Sequence, residues 1–227
     1  MSSTKKKPNN IIIEGVTGSK AYGLDTKDSD EDIRGVFVAP TEKILGLKKV
    51  RDTYDNVDPD WCYYEVGKFI HLIMKGNPTV LELLYLDKYI KLYGVGKLLV
   101  ENRDIFLSNI VRHSYGGYAL SQARALNARG GTYGKGRNKR FEKHSRHCLR
   151  LLYQGKELME TGTLTVRVSK ERREELFEFG KQPVEKVIDV FEEKFKEFDS
   201  IKSVLPDEPD KKKINELLLD IRQLYYG

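Results

Sequence analysis

Apolar residues in this chain recur in two rhythms, and the change between them falls near residue 95. Ile11-Ile12-Ile13-Glu14-Gly15-Val16 is short and β-branched and ends at Gly18-Ser19, which predicts a strand closed by a turn. Ile33 to Val38, stopped by Pro40, predicts a second strand, and Trp61-Cys62-Tyr63-Tyr64 a third that runs directly into a helix. That helix carries Val66, Phe69, Ile70, Ile73 and Met74 at three- and four-residue steps, one apolar face. Gly76-Asn77-Pro78 ends it, with Asn77 placed to cap a following apolar helix from Thr79 to Leu86 and Pro78 at its first position. From Val95 onward the period is helical: Val111 to Asn127, Phe141 to Leu158, Pro183 to Phe198 and Ile214 to Tyr225. Ala128 to Arg140 reads as a glycine- and cation-rich loop, and Leu205 to Lys213 as a charged linker. No internal repeat is visible. The pattern predicts an α+β protein, with a strand-bearing unit over residues 1–94 and a helical unit over 95–227.

Composition narrows the class. With 39% hydrophobic and 33% charged residues, the 227-residue chain is expected to fold and to bury a substantial core. No run approaches the roughly 18 apolar residues of a membrane helix. Met1 to Asn10 is polar and lysine-rich, unlike a secretory signal, so a cytoplasmic location is expected. Cys62 and Cys148 are far apart and are expected to be free thiols. The net charge of +6 is unevenly placed. Between Arg112 and Arg150 lie Arg124, Arg129, Lys135, Arg137, Lys139, Arg140, Lys143 and Arg146 against the single acid Glu142, which favours a polyanionic partner.

The candidate chemistry sits between the first two strands. Asp30 and Asp32 are two positions apart, and strand geometry would point both carboxylates to one face. Like charges that close are costly unless a cation lies between them, and hard oxygen donors suit magnesium. Gly18-Ser19 just upstream offers backbone N–H groups and a hydroxyl without bulk, where a triphosphate could approach the main chain. Together these features predict metal-assisted nucleotidyl transfer. Arg34 continues the 30, 32, 34 face and either neutralises a carboxylate or holds the nucleotide.

Gly18-Ser19 followed by Asp30-Glu31-Asp32 resembles the signature of the DNA-polymerase-β-type nucleotidyltransferase superfamily. Ala21-Tyr22-Gly23-Leu24, Ser29-Asp30-Glu31-Asp32-Ile33-Arg34-Gly35 and Lys75-Gly76-Asn77-Pro78-Thr79-Val80-Leu81-Glu82-Leu83-Leu84 are similar to its RNA-repair-pathway branch. The resemblance runs from about Ile11 to Leu152. It implies a small mixed-sheet palm domain followed by a helical domain that is expected to bind substrate. It also implies transfer of a nucleoside monophosphate from a nucleoside triphosphate to an acceptor hydroxyl, with release of pyrophosphate. Two magnesium ions, with manganese as a substitute, would be held by Asp30, Asp32 and a third carboxylate. Asp58, Asp60 and Glu65 are the candidates for that third group, and the family pattern favours Asp60 at the opening of the third strand. Ser19 is expected at the β- and γ-phosphates.

The resemblance extends to the basic helix, where Lys143, His147 and Arg150 fall on one face and are expected to hold the triphosphate, a solvated basic face being the alternative. The nucleotide-binding set is then Gly18, Ser19, Arg34, Lys143, His147 and Arg150. Glu82 in its apolar surround needs a partner, and an interdomain bond is expected. Tyr115-Gly116-Gly117-Tyr118 is expected to pack helices rather than to stack a base. Gly94-Val95-Gly96 lacks the strand and third glycine of a dinucleotide fingerprint. The expected acceptor is an RNA end, tRNA among the candidates. A protein or small-molecule acceptor, or a non-catalytic RNA-binding protein on the same fold, are the alternatives.

Overall fold

The computed structural model describes residues 6–47, 49–130 and 139–225, with the side chains of 125–130 and 139 set aside. Five strands form one mixed sheet: β1 (Ile11–Thr17), β2 (Asp32–Phe37), β3 (Thr53–Val57), β4 (Asp60–Glu65) and β5 (Lys91–Leu92), in the order β3-β4-β2-β1-β5. β2 runs antiparallel to β1 and parallel to β4, and the outer strands are antiparallel to their neighbours.

The helices of the first unit are short: α1 (Gly18–Tyr22), α2 (Thr41–Leu45), α3 (Val66–Met74) and α4 (Pro78–Leu81). Asn77 caps α4 by accepting from the Val80 N–H at 3.3 Å, with Pro78 at the first position. After α5 (Val95–Glu101), the long helices α6 (Ile110–Gly130) and α7 (Lys139–Thr161) pack on one another and on α8 (Lys170–Gly180) and α9 (Val184–Asp199). The chain closes with α10 (Lys211–Leu224), which reaches back to the sheet unit. There Arg222 donates to Glu65, the residue that caps α3, at 2.5 and 2.8 Å.

Alternation along the strands separates two faces. Gly35, Phe37, Trp61 and Tyr63 face one side, where Phe37, Trp61 and Tyr63 form a small core with Ala39. Arg34 and Val36 on β2 and Cys62 and Tyr64 on β4 face the other side, toward the helices. The main core runs on from there without a break at residue 95, joining Val36, Phe69 and Leu84 to Tyr115, Leu149, Leu152 and Phe198. No helix among the described residues is long and apolar enough to cross a membrane. Cys62 and Cys148 are buried and unpaired.

Candidate active site

The site begins where β1 ends. Gly18 adopts φ +67°, and a Cβ built there would lie 2.0 Å from Asp32 Oδ2, so only glycine lets the chain turn while the Asp32 carboxylate lies against its Cα. Thr17 pairs with Asp32 across the strands, and its hydroxyl donates to the Asp32 carbonyl at 3.3 Å. Because β1 turns away into α1 at Gly18, β2 has no partner backbone before Asp32 and starts there. Asp30 therefore lies in exposed coil, not on the strand face predicted for it. Lys20 and Glu31 form an exposed ion pair at 3.3 Å beside it.

The parallel register of β2 and β4, Ile33 opposite Trp61, brings Asp60 beside Asp32. Burial raises the Asp32 pKa above its ordinary value. A hydrogen bond with Asp60 and the Asp60 charge raise it further, while Arg34 and Lys143 oppose the rise. Arg34 also pairs with Asp60, Nη1 to Oδ1, at 3.4 Å. The other two candidates are placed elsewhere: Glu65 is spent on the α3 cap and Arg222, and Asp58 is exposed in the turn before β4. Among the described residues no group of three or more His, Cys, Asp or Glu side chains is arranged around a common metal position. The close Asp32–Asp60 pair nevertheless fits a divalent cation, being two hard oxygen donors near enough to share a proton.

The helical unit supplies the opposite wall through α7. Lys143 is exposed, yet near enough for its charge to act on Asp32. His147 is pushed down to about 3 by burial and by the positive charges of Arg150, His144 and Lys143, so it is neutral at ordinary pH. Its Nδ1 lies 3.0 Å from Arg150 Nη2; arginine only donates, so the ring proton is on Nε2. Arg150 itself is 2% exposed, bonded to Gln154 and stacked 3.6 Å over the Tyr22 ring. Of the three α7 residues, Lys143 is the cation that faces solvent. A cavity of about 630 Å³ between α7, α8 and α9 also has Arg150 in its wall, but neither Asp32 nor Asp60.

Tyr22 and Glu82 are site residues that the sequence did not single out for these roles. Glu82 accepts from the Tyr22 hydroxyl at 2.7 Å, a bond inside the sheet unit, with Arg150 of the helical unit nearby. The segment after α1 is held from the helical side, since Val168 N–H donates to the Tyr22 carbonyl at 3.1 Å and Arg173 Nε to the Gly23 carbonyl at 2.8 Å. The Tyr115–Tyr118 segment divides its work. Gly116 packs against Phe198 and Phe195, whereas Tyr118 is exposed and its hydroxyl accepts from Asn77 at 3.0 Å.

A mixed sheet with Asp32 and Asp60 on adjacent strands beside a Gly-Ser turn, and with Lys143 of α7 near them, fits a nucleotidyltransferase-like fold. The chain belongs to the RNA repair pathway DNA polymerase beta family, whose model matches residues 2–220. It is 28% identical over 135 residues to the "Uncharacterized 38.9 kDa protein in nrdC-mobD intergenic region" of Enterobacteria phage T4, covering 52% of this chain and 39% of that one. It is 31% identical over 80 residues to "Uncharacterized protein YcgL" of Bacillus subtilis (strain 168), covering 34% and 31%. The chain thus spans well under half the length of these curated relatives. Among solved structures, a nucleotidyltransferase-like protein from Exiguobacterium sibiricum 255-15 aligns over 95% of this chain and 75% of that one, with a TM-score of 0.34 and 11% identity.

Proposed function

We propose that the protein transfers a nucleoside monophosphate from a nucleoside triphosphate to an acceptor hydroxyl, and that the acceptor is an RNA end. The observation that carries this reading is the Asp32–Asp60 pair on adjacent parallel strands, close enough to perturb one another and flanked by Arg34 and Gly18-Ser19. Magnesium ions, or manganese in their place, held there with Asp30 at the rim, would supply charge neutralisation for the triphosphate and acidify the acceptor hydroxyl. Gly18 lets the Asp32 carboxylate lie against the turn, and the Ser19 hydroxyl beside it meets the phosphates. Lys143 meets the phosphate charge from across the cleft, with His147 and Arg150 behind it as a neutral donor and a fixed guanidinium. The hydroxyl oxygen attacks the α-phosphorus, its proton leaves toward Asp60, and the bond to pyrophosphate breaks. Positioning and charge complementarity supply most of the rate. The cations between Arg112 and Arg150 dock the RNA.

The test is incubation with total RNA, magnesium and each labelled nucleoside triphosphate in turn. Label entering RNA with release of pyrophosphate is the expected result. Label entering protein or a small molecule would transfer the reading to that acceptor. One observation favours a second reading, a non-catalytic RNA-binding protein: Asp30 lies in exposed coil, apart from the Asp32–Asp60 pair. RNA binding without pyrophosphate release from any of the four nucleotides would establish it.

A further inference from the structure

The short 3₁₀ helix Glu82–Tyr85 is pressed onto β1, where a Cβ at Gly15 would meet Leu86 at 2.3 Å. This close approach places Glu82 beneath α1, 2% exposed. One carboxylate oxygen accepts from the Tyr22 hydroxyl; the other, Oε1, is buried with no hydrogen-bond partner. Across the Tyr22 ring, the Nε of Arg150 is likewise buried and unpartnered. A carboxylate in such a place is a poor device for stability, because apolar residues of similar volume serve a core as well or better. Its neighbours show another use. The Gly18 backbone, Arg34 and Arg150 all lie close enough to act on its charge. These belong to α1, β2 and α7, the three elements that bound the candidate nucleotide site.

We propose that Glu82 is a positioning residue for the triphosphate: it anchors the Gly18–Tyr22 turn and orients Arg34 and Arg150 around the cleft. The inference rests on the nucleotidyltransferase reading given above. The groups facing Glu82 are Tyr22 and the Gly18 backbone from α1, Arg34 from β2, Tyr115 from α6 and Arg150 from α7. Burial lifts the Glu82 pKa to about 7 against the opposing effect of Arg150, so the anchor carries its full charge only on the alkaline side of neutrality.

The experiment measures binding of each magnesium–nucleoside triphosphate by calorimetry, and pyrophosphate release, for wild type, Glu82→Gln and Tyr22→Phe between pH 6 and 8. Glu82→Gln is expected to weaken nucleotide binding roughly tenfold at pH 8, the loss typical of removing a group that orients a ligand-binding residue. KM should rise more than kcat falls. Wild-type affinity should improve relative to the variant as pH rises through 7, and the two should converge at pH 6. Tyr22→Phe, which keeps the ring under Arg150, should weaken binding in the same direction without abolishing the pH dependence. Glu82→Gln that matches wild-type affinity at both ends of the range overturns this inference alone. A wild type that binds none of the nucleotides overturns both this inference and the proposed function.

Discussion

Replacing Glu82 by glutamine should make the nucleotide-free protein more stable at pH 8 and leave it nearly unchanged at pH 5. The sign follows from proton linkage. The folded-state pKa, about 7, lies above the ordinary value of 4.5, so between those limits the folded protein holds a proton that the unfolded chain releases. The stabilising contribution is complete below pH 4.5 and is lost as pH rises through 7. Each pKa unit corresponds to about 1.4 kcal/mol, which makes the loss roughly 3 kcal/mol. Glutamine cannot ionise and keeps the acceptor for Tyr22, but its amide hydrogens face the place where Oε1 has no partner, a penalty of about 1 kcal/mol. Since wild type has already lost about 0.8 kcal/mol of that contribution at pH 5, the variant should nearly match it there and gain about 2 kcal/mol at pH 8. In a chain of this size 1 kcal/mol moves Tm by about 2–4 °C, so the Tm advantage of the variant should grow from near zero at pH 5 to roughly 4–8 °C at pH 8. Thermal unfolding of both proteins at pH 5, 6.5 and 8, without divalent ions, measures it. A Tm difference that stays constant across that range would refute the buried, titrating carboxylate.

Asp32→Asn and Asp60→Asn should each reduce pyrophosphate release by several orders of magnitude, while Asp32→Asn raises the Tm of the metal-free protein near pH 7 by removing a repelling charge; near-wild-type transfer ends the metal reading. Arg222→Ala leaves the buried Glu65 without its partner and should cost about 3 kcal/mol in chemical denaturation, with α10 released first in hydrogen exchange. Neutralising Lys135, Arg137, Lys139 and Arg140 together should weaken RNA binding and flatten its log–log salt dependence by about one unit per lost contact, sparing nucleotide binding. Salt-insensitive transfer would point to a protein or small-molecule acceptor.

The parts of the fold legible in the sequence are those whose burial leaves a period. β1, β2, β4 and α3 carry β-branched or three-four apolar runs, and the Asn77-Pro78 start of α4 follows from local capping chemistry. β3 was not legible because its polar residues form an outer strand stabilised by β4 alone, and β5 is two residues long and exists through its pairing with β1. In α8 the fully buried apolar side chains are Leu176 and Phe179, too sparse among charges to mark a helix face. The candidate site divides the same way. The Gly18–Asp32 neighbourhood was readable from residue types, but the exclusion of Asp30 from β2 depends on where β1 ends. Lys143, His147 and Arg150 share one helix, yet charge state and burial, invisible in spacing, leave Lys143 as its exposed cation. Basic residues 135 and 137 lie outside the described residues.

Several of the costs in this protein gather around α1. Asp32 is held against Asp60, Arg150 and Glu82 are buried with unpartnered atoms, and Gly18 occupies a conformation that admits no side chain. Elsewhere the buried charges are satisfied. Glu14 on the opposite face of the sheet takes Lys7, Lys91 and Tyr63, and Glu65 takes Arg222 and the α3 N–H of Gly67. A fold that pairs its carboxylates so completely on one face has the means to do so on the other. On the proposed function, the charge left unpaired around α1 is matched by the ligand that arrives there. The deficits are of both signs: paired carboxylates that fit a cation, and arginine and lysine side chains that fit an anion. A metal-bound nucleoside triphosphate carries both charges in one ligand, and its binding would relieve both deficits at once.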